Sequence, residues 1–121
     1  MERAEAQLSS SLGRITISTG AIAQIVAQTT ARCYGVVGMG GRGGRRAVGR
    51  FLPRGRNTHG ISVSADGDAV SVDLLVVVEY GLNLAEVAAT IRSQVQYEVE
   101  RVTGLRVASV DVHIEDVRQS A

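Results

Sequence analysis

The densest chemistry in the chain is positive. Arg42, Arg45, Arg46, Arg50, Arg54 and Arg56 fall within fifteen residues that contain no acid. A guanidinium presents a planar fork of donors that suits phosphate or carboxylate. Such a segment would bind nucleic acid or anionic lipid headgroups with salt-sensitive affinity. The plainer reading of the same residues is a solubilising basic loop. The glycines beside it, in Gly38-Met39-Gly40-Gly41-Arg42-Gly43-Gly44, could cradle an anion with bare backbone amides, but the lysine-hydroxyl ending of a phosphate loop is missing and no strong helix start follows.

Three further groupings could do chemistry. Asp111, His113 and Glu115 alternate along one segment, so an extended strand would show all three on one face. That pattern can ligate a metal but more often forms a solvated face, and neither a metal nor a cofactor is expected. Cys33 lies near the C-terminal end of an apolar helical stripe, where the helix dipole disfavours a thiolate, and reads as a small core residue. His59 has no nucleophile or second base in sequence reach. A Cys33–His113 or Cys33–His59 pair would need convergence in a cleft, so no catalytic residue is assigned. Tyr34, Tyr80 and Tyr97 are too scattered to stack bases.

The central element that must position these residues is Ala69 to Gly81, AVSVDLLVVVEYG. Val70, Val72, Leu74, Val76, Val78 and Tyr80 share one parity, while Leu75 and Val77 are the apolar members of the other. The run predicts a central strand, and it is too short and too flanked by charge to cross a membrane. Arg14–Ser18 alternates as a short strand. Ser18 or Thr19 can cap a helix running from about Gly20 to Tyr34 with Ile22, Ile25, Val26, Thr29 and Cys33 on one side. Gly35 ends it, and Val36, Val37 and Met39 add a short strand. Residues 40–60 read as a mobile glycine- and arginine-rich loop. Ile61 and Val63 restart alternation, and Asp66-Gly67-Asp68 turns the chain into the central strand as a hairpin.

Asn83 stands three residues before Glu86 as a capping-box variant. The stripe Leu84, Ala88, Ile91, Val95, Val99 and Val102 predicts a helix that Thr103-Gly104 stops. Val107–Ile114 closes the pattern as a strand. The order β-α-(β)-β-β-α-β implies an α+β two-layer sandwich, with two helices on one face of a four- to five-stranded mixed sheet, ferredoxin-like in its layering. The other face, with Leu75, Val77, Asp111 and His113, is expected to be exposed and open to a partner or a second copy.

The chain of 121 residues is expected to form one domain over 13–117, with a flexible tail at 1–12 and a short one at 118–121. The single cysteine and the absence of a charged-then-apolar leader point to the cytoplasm. The net charge of +1 conceals an asymmetry: residues 6–65 hold eight arginines and no acid, whereas 66–121 hold ten acids and four arginines. All thirteen basic residues are arginine.

Several ordered segments together resemble the alkaline shock protein family of bacterial envelope stress response proteins, of Gls type. They are Gly13–Ser18, Ala31–Met39, Val72-Asp73-Leu74 through Val78-Glu79-Tyr80-Gly81, Thr103-Gly104-Leu105 and Val110–Ile114. The resemblance implies a non-enzymatic, cytoplasmic protein of envelope homeostasis that works through protein–protein contacts and takes no small-molecule substrate. It further implies an envelope-associated or membrane-anchored partner, with this chain peripheral at the inner side of the membrane, and self-association into a homo-oligomer. The Cys33-Tyr34-Gly35-Val36-Val37-Gly38-Met39 segment resembles a sub-branch that accompanies a fatty-acid kinase of the dihydroxyacetone-kinase type. The arginine-rich stretch departs from the family, which carries a helix-like segment of mixed charge there.

Overall fold

The computed structural model describes residues 5–40 and 60–119. In chain order these form β1 (Glu5–Ser10), β2 (Gly13–Ser18), α1 (Thr19–Ala31), β3 (Val36–Met39), β4 (Ile61–Asp66), β5 (Ala69–Glu79), α2 (Leu84–Thr103) and β6 (Arg106–Arg118). Two helices lie against one face of a four-stranded mixed sheet, and β1 and β2 form a separate two-stranded sheet.

The period-2 run of β5 decides the layering. Val70, Val72, Leu74, Val76 and Val78 are all at most 1 % exposed. They meet Ile22 and Val26 of α1 and Val87, Ile91, Val95 and Val99 of α2 in one cluster. Burying each such aliphatic side chain contributes about 1.5–3 kcal/mol as an upper estimate. Both edges of β5 are in use. β6 runs parallel to it from Ala69↔Arg106 to Glu79↔Arg118, while β4 and β3 pair antiparallel with its first and second halves. The parallel partner can be reached only through a crossover, and α2 supplies it.

Helix starts follow their caps. The Ser18 hydroxyl accepts from the Ala21 N–H at 3.1 Å, and the Asn83 side-chain oxygen accepts from the Glu86 N–H at 3.0 Å. Gly104 ends α2 in the left-handed region with its N–H bonded to the Glu100 carbonyl. The Asp66-Gly67-Asp68 turn joins β4 to β5 as expected, with Asp66 opposite Ala69.

Four sequence expectations need correction. Residues 5–10 are not a tail: β1 pairs with β2 along its length, Ala6 is fully buried, and the Gln7 N–H bonds to the Gly67 carbonyl at 2.8 Å. With only Ala6 and Leu8 on its apolar side, β1 draws its stability from β2 and the core, which local patterning does not display. α1 stops at Ala31, with the Arg32 N–H bonded back to the Thr29 and Thr30 carbonyls, so Cys33 and Tyr34 lie in the following turn. The buried row of α2 is Val87, Ile91, Val95 and Val99, a strict i, i+4 line that leaves Leu84 and Val102 exposed at the two ends. Val77, expected on an open face, is only 2 % exposed, so that side of β5 is covered at its C-terminal half.

Between β3 and β4 the ladder continues without a gap. Met39 faces Val76 and Ile61 faces Leu74; Leu75, between them, takes the Gly40 N–H on its carbonyl at 2.7 Å and gives its own N–H to the Gly60 carbonyl at 2.8 Å. Gly40 and Gly60 thus share one strand position. A Cβ on Gly60, at φ +78°, would sit 3.0 Å from the Leu75 carbonyl and 3.1 Å from that of Gly40. On Gly40 it would meet the Glu115 carboxylate.

Three stability tests follow from this packing. Gly60→Ala should cost about 1–3 kcal/mol, read as a lowered denaturant midpoint, because strain and backbone contact add at one residue. Deleting residues 41–60, which joins Gly40 directly to Ile61 in register, should leave a cooperatively unfolding domain by circular dichroism. The Thr30 hydroxyl is fully buried and has no hydrogen-bond partner among the described residues. Thr30→Val should therefore raise stability by about 1 kcal/mol.

Candidate functional site

The sheet separates the chain's reactive side chains. On the face turned away from the helices, strand register places Ser62 beside Asp73, Ser64 beside Ser71, Asp73 beside Asp111, and Leu75 beside His113. Asp73, Asp111 and His113 are exposed, and Leu75 is half-buried. Two carboxylates facing one another across adjacent strands are mutually destabilising unless a cation or a donor meets them. Glu115 reaches across β5 toward Gly40.

Cys33 is on the other side, half-buried against the core just past the C-terminal end of α1. It therefore cannot pair with His113. Among the described residues, no three His, Cys, Asp or Glu side chains come together as a metal-binding group, so Asp111, His113 and Glu115 share a strand without forming one. Arg42, Arg45, Arg46, Arg50, Arg54, Arg56 and His59 lie outside the described residues. The expected exposed sheet face is polar at Asp111 and His113 and closed at Val77.

A second surface was not anticipated from the sequence. Thr90, Gln94 and Glu98 of α2 line a trough of about 350 Å³ against Thr29, Arg32, Cys33 and Tyr34 at the end of α1. A smaller hollow of about 170 Å³ continues it past Tyr34 to Leu82, Asn83, Glu86 and Val87. Glu86, Thr90, Gln94 and Glu98 repeat every fourth residue, so they form one row along α2. That polar i, i+4 row was the available signal. Tyr34 stands between the two hollows, 75 % exposed.

The electrostatics of the trough are local. Arg101 holds Glu98 through two hydrogen bonds, Nε to Oε1 at 3.1 Å and Nη2 to Oε2 at 2.7 Å. The hydrogen bond from Arg101, joined by the charges of Arg101 and Arg32, keeps the Glu98 carboxyl below its ordinary range. The pair is solvent-exposed, so it orients the carboxylate more than it stabilises the fold. Burial raises the Cys33 thiol above its ordinary value, and Arg32 opposes that shift only in part. The thiol points back to the Thr29 carbonyl at 3.4 Å. The trough thus combines oriented polar groups, one exposed aromatic ring and a thiol whose thiolate form is disfavoured.

The described fold defines a class: a small two-layer α+β domain with two helices on one face of a mixed sheet. In this architecture the chain resembles the MamM CTD, with a TM-score of 0.50 at 17 % identity, covering 81 % of this chain and 94 % of that one. At that identity the likeness speaks for the fold alone. The family is shown by sequence. Residues 7–119 match the alkaline shock protein 23 family, of cell envelope-related function, and the chain belongs to it. It is 30 % identical to YloU of Bacillus subtilis over 93 % of this chain and 94 % of that protein. A Streptococcus pyogenes serotype M3 protein described as a stress response regulator gls24 homolog is 27 % identical over 88 % of this chain and 59 % of its own length. Among the described residues no helix is long and apolar enough to cross a membrane.

The raised thiol yields a kinetic test. Cys33 should react with iodoacetamide more slowly than free cysteine at pH 8, because less of it is thiolate, and its rate should continue rising above the pH at which free cysteine levels off. Mass spectrometry of the alkylated chain measures both.

Proposed function

We propose that this protein is a non-catalytic envelope stress response factor that acts as a protein–protein interaction module on the cytoplasmic side of the membrane, peripheral to it through an envelope-associated partner, and that it self-associates. One observation supports this reading above the others. The sheet keeps Cys33 apart from His113, while exposed polar groups line its outer face and the helix trough. Membership of a cell envelope-related family and similarity to a protein described as a stress response regulator agree with it.

The test is genetic. A strain of the source bacterium lacking the chain should grow less well than its parent in alkaline medium or under a cell-wall antibiotic, with wild-type protein restoring growth and Cys33→Ser restoring it equally. Growth indistinguishable from the parent under both stresses would refute the envelope role, and failure of Cys33→Ser to complement would refute the non-catalytic one.

A second reading concerns the arginine segment. Six arginines without an acid from Arg42 to Arg56 give a salt-sensitive affinity for nucleic acid or anionic membrane. Wild-type protein should be retained on heparin or phosphatidylglycerol vesicles at low salt and released at moderate salt. The chain lacking 41–60 should flow through.

A further inference from the structure

The longest strand of the sheet is also an edge. β6 spans thirteen residues, and among the described residues only β5 pairs with it. The ladder is bracketed by Arg106 N–H to the Asp68 carbonyl and Tyr80 N–H to the Arg118 carbonyl, both at 2.8 Å. In a parallel ladder alternate residues turn both backbone groups toward the neighbour. Following the register, Ser109, Asp111 and His113 bond toward β5, and Val110, Val112 and Ile114 direct their N–H and C=O groups outward.

Two register shifts limit this free edge. Val107 and Ser109 face consecutive residues of β5, as do Ile114 and Asp116, so Ala108 and Glu115 are the extra residues of two bulges. Bulges bend a strand and interrupt pairing. Between them lies a regular stretch of edge, Ser109–Ile114. Its side chains are sorted by face: Val110 is buried and Val112 and Ile114 half-buried on the helix side, while Asp111 and His113 are exposed on the other.

We propose that this edge pairs antiparallel with the same edge of a second copy, across a two-fold axis at Val112. The surface is self-complementary in that register. Val112 exchanges both backbone hydrogen bonds with the partner's Val112, Val110 pairs with the partner's Ile114, and the apolar row continues through the axis under helices that lie on the same side in both copies. On the opposite face Asp111 stands beside the partner's His113, twice by symmetry, so that an imidazole N–H meets a carboxylate. The adjacent registers that keep outward-bonding residues opposed lack this match. Centring on Asp111 sets that carboxylate against the partner's Asp111, and centring on His113 sets Asp111 against the partner's Glu115. Like charges directly opposite are destabilising. The two-fold contact closes on itself and removes an edge that would otherwise template open-ended pairing. It deepens the self-association included in the reading above and names its surface.

Cross-linking by register tests the proposal in purified protein, independently of any envelope role. In a Cys33→Ser background, Asp111→Cys and His113→Cys chains, one carrying a size tag, are mixed and oxidised. Opposed residues in such a pair have Cβ atoms about 4.5–5.5 Å apart, within reach of a disulfide. The tagged–untagged dimer should form several-fold more than any dimer from either variant alone. No link in the mixture, or equal linking of Asp111→Cys with itself, overturns the register. Light scattering supplies the second measurement. Wild-type protein should be dimeric, and Val112→Pro, which removes the central outward N–H of both copies, should weaken the dimer at least about tenfold with its circular dichroism retained. A wild-type chain that stays monomeric at high concentration, or a folded Val112→Pro chain that dimerises unchanged, refutes the pairing. If Val112→Pro does not fold, the cross-link decides.

Discussion

The fold depends on a single constraint: the backbone of β5 must be satisfied along both edges while its even-numbered side chains are roofed. Eleven residues long and central in the sheet, β5 would leave two rows of polar groups beside apolar residues if either neighbour were missing. β6 covers one row from end to end. The other row is covered in two instalments by β4 and β3, which meet at Leu75. Because Gly40 supplies the amide and Gly60 the carbonyl that one ordinary residue would supply, an insertion of many residues disturbs no rung of the ladder. The two helices then follow, since each must cover the aliphatic row that this ladder presents.

Where periodicity alone carries the information, the fold was legible in the chain. The alternation of Val70 to Val78, the Asp66-Gly67-Asp68 turn and the caps at Ser18 and Asn83 are local signals, and each appears where it was expected. What was not legible depends on distant neighbours. Ala6 and Leu8 give β1 little alternation of its own, and pairing with β2 makes it a strand. Leu84 and Val102 fit an apolar stripe by spacing, but the contact line of α2 runs through Val87 and Val99. Val77 was expected to be open because both helices were placed on the opposite face of the sheet, and what covers it lies outside its own segment. The joint use of Leu75 by Gly40 and Gly60 cannot be read from sequence, since it is a relation between residues far apart in the chain.

The functional surfaces divide in the same manner. Asp111 and His113 were identified by alternation and are exposed as a strand face requires. The trough was missed because it arises between helices: the α2 row from Glu86 to Glu98 becomes a wall only when the turn carrying Tyr34 closes against it. Cys33 shows why a residue type is weak grounds for chemistry. Its burial and its contact with the Thr29 carbonyl disfavour the thiolate that a nucleophile needs.

The parallel pairing of β5 with β6 also has a temporal consequence. During translation the chain emerges in order, so β5, β4 and β3 are outside the ribosome while the segment that must complete them is still being made. Until residues 106–118 are free, one flank of the most hydrophobic strand stays exposed to the cellular milieu, and docking of α2 has no floor to press upon. During that interval the β5 edge that β6 later covers is a strand edge of the kind that pairs with other chains.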